Sequence, residues 1–198
     1  MKFKYLVIRL SVFAALLCGD VFAQSLNLSI HGGFSSNSLM RFARLDGGAG
    51  YDGKGSWHSG ISIASRINDR FMISGEIVYA QHLIEITPEY FPNVEIVSEN
   101  TNVRLLSLPI EIRWNFLKHI FIETGPSVDF DISDGTNPID SQSGIGWNAG
   151  IGAGIDYRKL CFTIKPSIKL HSLIAFNREN HHQHLFETGL TFGIGYLF

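Results

Sequence analysis

The sequence predicts an all-β fold, an eight-stranded antiparallel up-and-down barrel that spans a membrane. Apolar and polar residues alternate with a period of two, short and long connections alternate, and the N-terminus has the pattern of an export signal. No later segment has about 18 uninterrupted apolar residues, which excludes a membrane helix. The 20 glycines, 15 phenylalanines and only 17% charged residues are unusual for a soluble exported domain.

Residues 1–23 resemble a cleaved signal peptide, which leaves a single barrel domain over residues 24–198. The pattern consists of Lys2, Lys4 and Arg9, an apolar run over residues 10–17, and the tripeptide Val21-Phe22-Ala23. As an uncleaved anchor the apolar run is too short, because a spanning helix needs about 20 residues. A lipoprotein cut at Cys18 is disfavoured by Leu17, which stands where a small side chain is needed.

Alternation places the eight strands in order along the chain. The first three, around residues 26–31, 57–67 and 71–82, are less regular than the last five, around residues 106–116, 120–132, 145–157, 160–171 and 186–198. Each run has about 9–14 residues, enough for a tilted strand to cross hydrocarbon. Aromatic side chains mark the run ends on the apolar face: Trp57, Trp114, Phe116, Phe130, Trp147, Tyr157 and Tyr196.

Connection lengths indicate which end of the barrel faces outward. Short turns are expected after strands two, four and six, at Asn68-Asp69, Lys118-His119 and Arg158-Lys159. Loops of about ten to twenty residues are expected after strands one, three, five and seven, far above the usual 2–5 residues of a hairpin. Outer-membrane barrels sort their connections in this way, with short periplasmic turns and long outer loops.

The polar face of these strands carries charged residues that we expect to fill the lumen. An interior of eight strands is just wide enough for side chains, so a paired charge network is favoured over a pore. The expected network is Glu76, Glu111, Arg113, Glu123, Asp129, Asp131, Asp156, Lys165, Lys169 and Glu187. The alternative, a soluble exported barrel that binds an apolar ligand inside, would turn these charges toward water.

Several segments resemble the outer membrane protein β-barrel domain family, often called porT-like. They are Leu106–Trp114, Glu123–Pro126, Gly150–Tyr157 and Gly189–Phe198, and the resemblance is good over residues 70–198. It implies the eight-stranded fold and the outer membrane, and it implies no activity. The terminal Phe198 after Tyr196 also resembles the signal that barrel insertion machinery recognises.

Histidines are the candidate metal ligands. His181, His182 and His184 are assigned to the last outer loop, and His31, His58, His82 and His171 to the lumen face toward the outer strand ends. Converging imidazoles could hold zinc or copper. The favoured interpretation is that the loop histidines are solvated and the lumen histidines hydrogen-bond to carboxylates. We therefore expect no cofactor.

The expected function is non-enzymatic, either structural or surface-binding through the outer loops. Candidate binding segments are Met40, Arg41, Phe42, Arg44 and residues 47–50 in the first loop, and residues 90–102 after strand three. The alternative is an enzyme acting on lipid or glycan at the outer rim, for which Ser172, His171 and Asp134 offer the residue types but no motif.

The expected partners follow from location and charge. They are outer-membrane lipid, the insertion machinery through Phe198, and an extracellular or periplasmic protein. Loss of three basic residues and one acidic residue with the signal moves the net charge from −2 to −4, which disfavours nucleic acid. Only Cys161 remains after cleavage, so no intramolecular disulfide is expected.

Overall fold

A computed structural model describes residues 26–41, 49–88, 97–134, 138–177 and 181–198. The predicted signal peptide and most of the predicted first-loop segment lie outside these residues. The strands are β1 (Leu26–Arg41), β2 (Gly50–Arg66), β3 (Phe71–Thr87), β4 (Glu99–Asn115), β5 (Ile120–Asp131), β6 (Gly144–Tyr157), β7 (Leu160–Ala175) and β8 (Gln183–Leu197). None of the described residues forms a helix long and apolar enough to span a membrane.

The eight strands form a closed ring in which each pairs antiparallel with its neighbours in the chain. Closure is made by β1 and β8, in register from Asn27↔Leu197 to Arg41↔Gln183. Because the ring is closed, every strand in the hydrocarbon layer has a neighbour on both sides. Lipid requires this arrangement because it offers no hydrogen bonds. The predicted fold class is confirmed.

The faces of the strands follow the predicted alternation within the membrane. On β4, Ile110 and Ile112 are more than half exposed, whereas Glu111 between them is 3% exposed. Large apolar side chains therefore cover the outside, and the charged side chains point into the lumen. The alternative of a soluble barrel with an apolar interior is wrong, because its charges would have to lie outside.

The strands continue further outward than predicted. Met40 and Arg41 belong to β1, Gly50 begins β2, and residues 99–102, expected in a loop, belong to β4. Five strands reach 16 or 17 residues. The outer connections are residues 42–49, 88–98, 132–143 and 176–182, of which the first and last are shorter than the expected ten to twenty residues. The turns at 67–70, 116–119 and 158–159 are short as predicted.

The sequence pattern did not predict this extra length, because apolar and polar residues exchange faces at the outer ends of the strands. In the membrane layer the apolar face of β3 points outward, as at Ile73 and Ile77. Near the outer end its inward residues are apolar, with Ile84 1% exposed, while the outward Gln81 hydrogen-bonds to Asn102 of β4. Beyond the membrane the outer ends of the strands are surrounded by water. They therefore have polar residues outside and apolar residues inside, as in a soluble sheet.

A β-bulge accompanies this reversal in β2. The register with β3 shifts between Gly53 and Gly55, and Gly55 adopts a φ of 105° that favours glycine. Asn37 of β1 joins the bulge, because its Oδ1 accepts from the Gly55 amide at 2.9 Å and its Nδ2 donates to the Leu83 carbonyl at 3.1 Å. A second bulge, between Ile145 and Trp147 of β6, lies opposite β7.

An apolar cluster fills the outer end of the barrel. Its buried members are Ile84, Val103, Leu105, Ile139 and Leu185, with Leu39, Tyr51 and Ile86 packed against them. Four of the buried members come from strands, and Ile139 comes from the connection between β5 and β6. We call this set the outer apolar cluster.

Candidate functional site

The lumen holds two layers of charged side chains below the outer apolar cluster. In the inner layer, the Nζ of Lys165 lies 3.1 Å from Glu111 Oε2 and 2.7 Å from Glu123 Oε2. Arg113 Nε lies 3.3 Å from Glu123 Oε1, and its guanidinium stands 3.9 Å from the ring centroid of Phe121. The carboxylates of Glu76, Glu111 and Glu123 all converge on this layer.

The outer layer is centred on Glu187, which is 2% exposed. Its Oε1 accepts hydrogen bonds from Ser35 and Ser56, at 2.8 and 3.1 Å. Its Oε2 lies 3.1 Å from His171 Nε2 and 3.8 Å from Lys169 Nζ. The other ring nitrogen of His171 lies 3.0 Å from Asp129 Oδ2, so this imidazole bridges two buried carboxylates.

Eight of the ten expected lumen charges belong to these two layers, and two lie at the rims of the barrel. Asp131, at the outer rim, accepts from the backbone amides of Ser133 and Gln142 and so joins the start and the end of the β5–β6 connection. Asp156 is exposed at the periplasmic end of β6. Sequence parity assigns a side chain to one face of a strand but carries no information about its height along the barrel.

The lumen histidines occupy three heights, contrary to the expectation that all lie near the outer ends. His31 contacts Glu76 of the inner layer, at 3.6 Å from Nε2 to Oε2. His58 lies between the layers, where its Nε2 is 3.0 Å from the Thr191 hydroxyl. Only His82 and His171 come together, with ring centroids 5.7 Å apart.

The three histidines predicted in the last loop lie in different environments in the structure. His181 is exposed in the turn, with a φ of 61°, whereas His184 belongs to β8. His182 and His184 are buried, and their ring centroids are 5.2 Å apart. Within the described chain, the groups whose ligand atoms converge within 4.8 Å are His82–His171–Glu187 and Glu76–Glu111–Glu123.

The residues named for an outer-rim enzyme do not assemble as a group. Asp134 is 87% exposed and pairs with Arg104 at 2.7 Å, and His171 belongs to the outer charge layer. Ser172 has a φ of 47°, is fully buried, and donates to Gln142 Oε1 at 3.0 Å. Its hydroxyl also lies 3.4 Å from His182 Nε2, a contact that sequence reasoning did not foresee.

Gln142 is a structural residue that no sequence pattern indicated. The paired register of β7 and β8 ends at Leu170↔Phe186, and beyond it the Gln142 side chain connects the two strands. Its Oε1 accepts from the Leu185 amide and the Ser172 hydroxyl, and its Nε2 donates to the Gln183 carbonyl at 2.9 Å. This side chain fixes the β5–β6 connection over the barrel mouth.

The cavity between the layers is small. It measures about 50 Å³ and is lined by His31, His58, Lys165, Lys169 and His171, among others. A buried water needs at least about 10–15 Å³, so this space suits a few waters and no larger solute. The described arrangement can therefore hold protons, waters or a single ion, and its chemistry is that of imidazoles and carboxylates.

The comparisons with known proteins agree with this architecture. Curated proteins give no match. Among solved structures, OprG from Pseudomonas aeruginosa is similar with a TM-score of 0.53 and 11% identity, over 87% of this chain and 95% of that one. Ail, the attachment invasion locus protein of Yersinia pestis, has a TM-score of 0.45 and 15% identity, over 87% and 98%.

The similarity to OprG concerns the fold alone, since the identity is 11%. A family model described as outer membrane protein beta-barrel domain matches residues 22–198, which is most of the chain. The lipid-compatible exterior, the closed ring and this match all place the protein in the outer membrane. The chain belongs to the outer membrane protein β-barrel domain family.

Proposed function

We propose that this protein is a non-enzymatic, non-conducting barrel that binds an extracellular protein through the outer extension of β2, β3 and β4. The observation that carries the proposal is the change of pattern at the outer end of these strands. Water-exposed polar side chains there cover a buried apolar layer, as in a soluble domain. Binding residues are usually displayed on such segments, supported by a rigid scaffold.

The lumen supports the non-conducting part of the proposal. Two layers of paired charges fill its middle, and the outer apolar cluster covers them, with Ile139 6% exposed and Val103 and Leu105 fully buried. An ion crossing this path would have to displace paired buried charges and then pass through hydrocarbon side chains, and both steps are costly.

The extension itself offers a polar surface of mixed charge. Lys54 and Glu85 form an ion pair at 2.5 Å across β2 and β3, with Asp52 exposed on the same strand. Beyond the last pair of the β4–β5 ladder, Leu105↔Asp131, the backbone of Arg104 bonds the β5–β6 connection: its carbonyl accepts from the Ile132 amide at 2.8 Å and its amide donates to Ser133 Oγ at 2.9 Å.

The enzyme alternative has one favourable observation, the contact between Ser172 and His182. A hydrolase would need Ser172 Oγ to reach substrate, but this hydroxyl is fully buried and donates to Gln142. Turnover of a lipid ester or glycan by the detergent-solubilised protein, lost in Ser172→Ala, would support the enzyme over the binding protein.

Two measurements test the proposal together. In planar bilayers, the refolded protein should give no stable conductance steps under conditions in which a known porin conducts. On intact cells, a photo-crosslinking amino acid at position 52 should give adducts with an extracellular protein, while the same group at position 118, in a periplasmic turn, should not. Stable channels would contradict the closed lumen, and adducts only at position 118 would contradict the assigned surface.

A further inference from the structure

The geometry points to a binding site for one divalent transition-metal ion, of the zinc class, in the outer charge layer. The ligands are His82, His171 and Glu187, whose ligand atoms lie within 4.8 Å of one another. All three side chains are at most 3% exposed. Two imidazoles with one carboxylate are a donor set that zinc and other first-row metals use in proteins.

His82 gives the first independent argument. It is fully buried, and neither ring nitrogen makes a hydrogen bond to any described residue. Burying a polar group without a partner is costly, and buried histidines are normally satisfied. Its Nδ1 instead faces Glu187 Oε1 at 3.3 Å. A metal ion shared with that carboxylate would use the unpartnered imidazole as a ligand.

Charge balance gives the second argument. Five carboxylates belong to the two layers, those of Glu76, Glu111, Glu123, Asp129 and Glu187. Three permanently basic side chains face them, those of Arg113, Lys165 and Lys169. With all five carboxylates ionised and the imidazoles neutral, two negative charges remain, and uncompensated buried charge is strongly unfavourable. One divalent cation neutralises both.

The ligand atoms are close enough to share one ion after local adjustment. His171 Nε2 lies 3.1 Å from Glu187 Oε2, and His82 Nδ1 lies 3.3 Å from the other carboxylate oxygen, Oε1. One ligand atom from each of the three residues lies within 4.8 Å of the other two. In a tetrahedral zinc site with bonds of about 2.0–2.1 Å, neighbouring ligand atoms stand about 3.3 Å apart, so a bound ion would draw the three side chains together.

Asp129 completes the arrangement as a positioning residue. Its Oδ2 lies 3.0 Å from His171 Nδ1, the nitrogen that points away from Glu187. A carboxylate on the far nitrogen of a ligating histidine fixes its tautomer and orientation, and this pairing recurs in zinc proteins. The hydroxyls of Ser35 and Ser56 hold the Glu187 carboxylate in a similar way.

The outer apolar cluster covers the site toward the cell exterior, and the small cavity on its inner side reaches His171. The competing arrangement is an imidazolium at His171 that bridges Asp129 and Glu187 without metal, with Lys169 as the nearby cation.

The test uses the mature barrel folded in detergent, in a Cys161→Ser background that removes the only thiol outside the predicted signal. Zn²⁺ and Co²⁺ are titrated in turn, and binding is measured by competition with a chelating indicator and by the absorption of bound Co²⁺. We expect one ion per chain and a Co²⁺ spectrum with nitrogen and oxygen ligands. Absence of bound metal in this protein would overturn the proposal without any variant.

Variants locate the site. His82→Phe, which keeps a ring of similar volume, and Glu187→Gln should each weaken binding at least tenfold, and Asp129→Asn by about 10–100-fold. The matched control is His58→Ala, a lumen histidine hydrogen-bonded to Thr191, which should bind as the parent does. Each variant is first shown to fold by its gel shift without boiling. Binding lost in His58→Ala but kept in His82→Phe would contradict the assignment.

Discussion

Lys165 is the residue on which the inner charge layer depends. Its ammonium contacts Glu111 and Glu123 directly, at 3.1 and 2.7 Å, while Glu76 belongs to the same carboxylate group. The side chain crosses the lumen from β7 to reach β4 and β5, so it joins strands that are not neighbours in the ring. Such a cation stabilises the barrel chiefly because its removal would leave carboxylates buried without compensation.

Lys165→Met should therefore destabilise the folded barrel by about 3–5 kcal/mol, the usual cost of breaking a buried ion pair from one side. Lys169→Met is the matched control, because Lys169 is equally buried on the same strand but approaches its nearest carboxylate oxygen only to 3.8 Å. Its effect should be clearly smaller. Reversible urea unfolding in lipid vesicles measures both, and equal losses would contradict the central role of Lys165.

At the scale of the strand, the ladder between β4 and β5 has a gap. Pairing runs from Leu105↔Asp131 to Pro109↔Ser127 and resumes at Ile112↔Thr124. Pro109 precedes this gap on β4 and Pro126 lies inside it on β5, and neither can donate a backbone hydrogen bond. Gly125 lies inside it, so close to β4 that an added Cβ would overlap the carbonyl oxygen of Ile110. The absence of a side chain permits this approach.

Gly125→Ala should destabilise the barrel by about 1–3 kcal/mol, as overpacking does in a tight interior. Gly75→Ala is the control, because a Cβ at Gly75 of β3 meets no atom within 4 Å. Its effect should be neutral or slightly stabilising, since alanine restricts the unfolded chain more than glycine. The same unfolding assay compares them, and a loss at Gly75 as large as that at Gly125 would refute the steric explanation.

At the scale of the whole molecule, the sequence predicted what depends on local pattern. Parity along β4 predicted that Glu111 and Arg113 face the lumen, because side chains alternate strictly across a strand. It could not bring His82 next to His171, since they lie on β3 and β7 and their relative height depends on the shear of the ring. Nor could it predict that Ile139 covers the lumen, because a connection has no periodicity.

The outer strand ends were missed for a related reason. The predicted strand bounds assume that every outward-facing residue contacts lipid. On β3, however, the outward side chain changes from Tyr79 to Gln81 where the strand passes from lipid to water. The aromatic pair Trp57–Tyr79, with centroids 5.5 Å apart, marks that boundary on the outer surface. A reversal of parity just beyond an outward aromatic residue is a signal that could have extended the predicted strands.

Orientation of the barrel is a property of the whole molecule and can be tested on living cells. In a Cys161→Ser background, Asp134→Cys places a thiol in the β5–β6 connection, at a side chain that is 87% exposed, and Lys118→Cys places one in the β4–β5 turn. A maleimide that cannot cross membranes should label Cys at position 134 on intact cells. At position 118 it should react only after the outer membrane is permeabilised, because the short turns face the periplasm.

Both should react fully in the boiled protein, which shows that each thiol is present. Labelling of position 118 on intact cells, with position 134 protected, would mean that the short turns face outward, and the polar extension of β2, β3 and β4 would then lie in the periplasm.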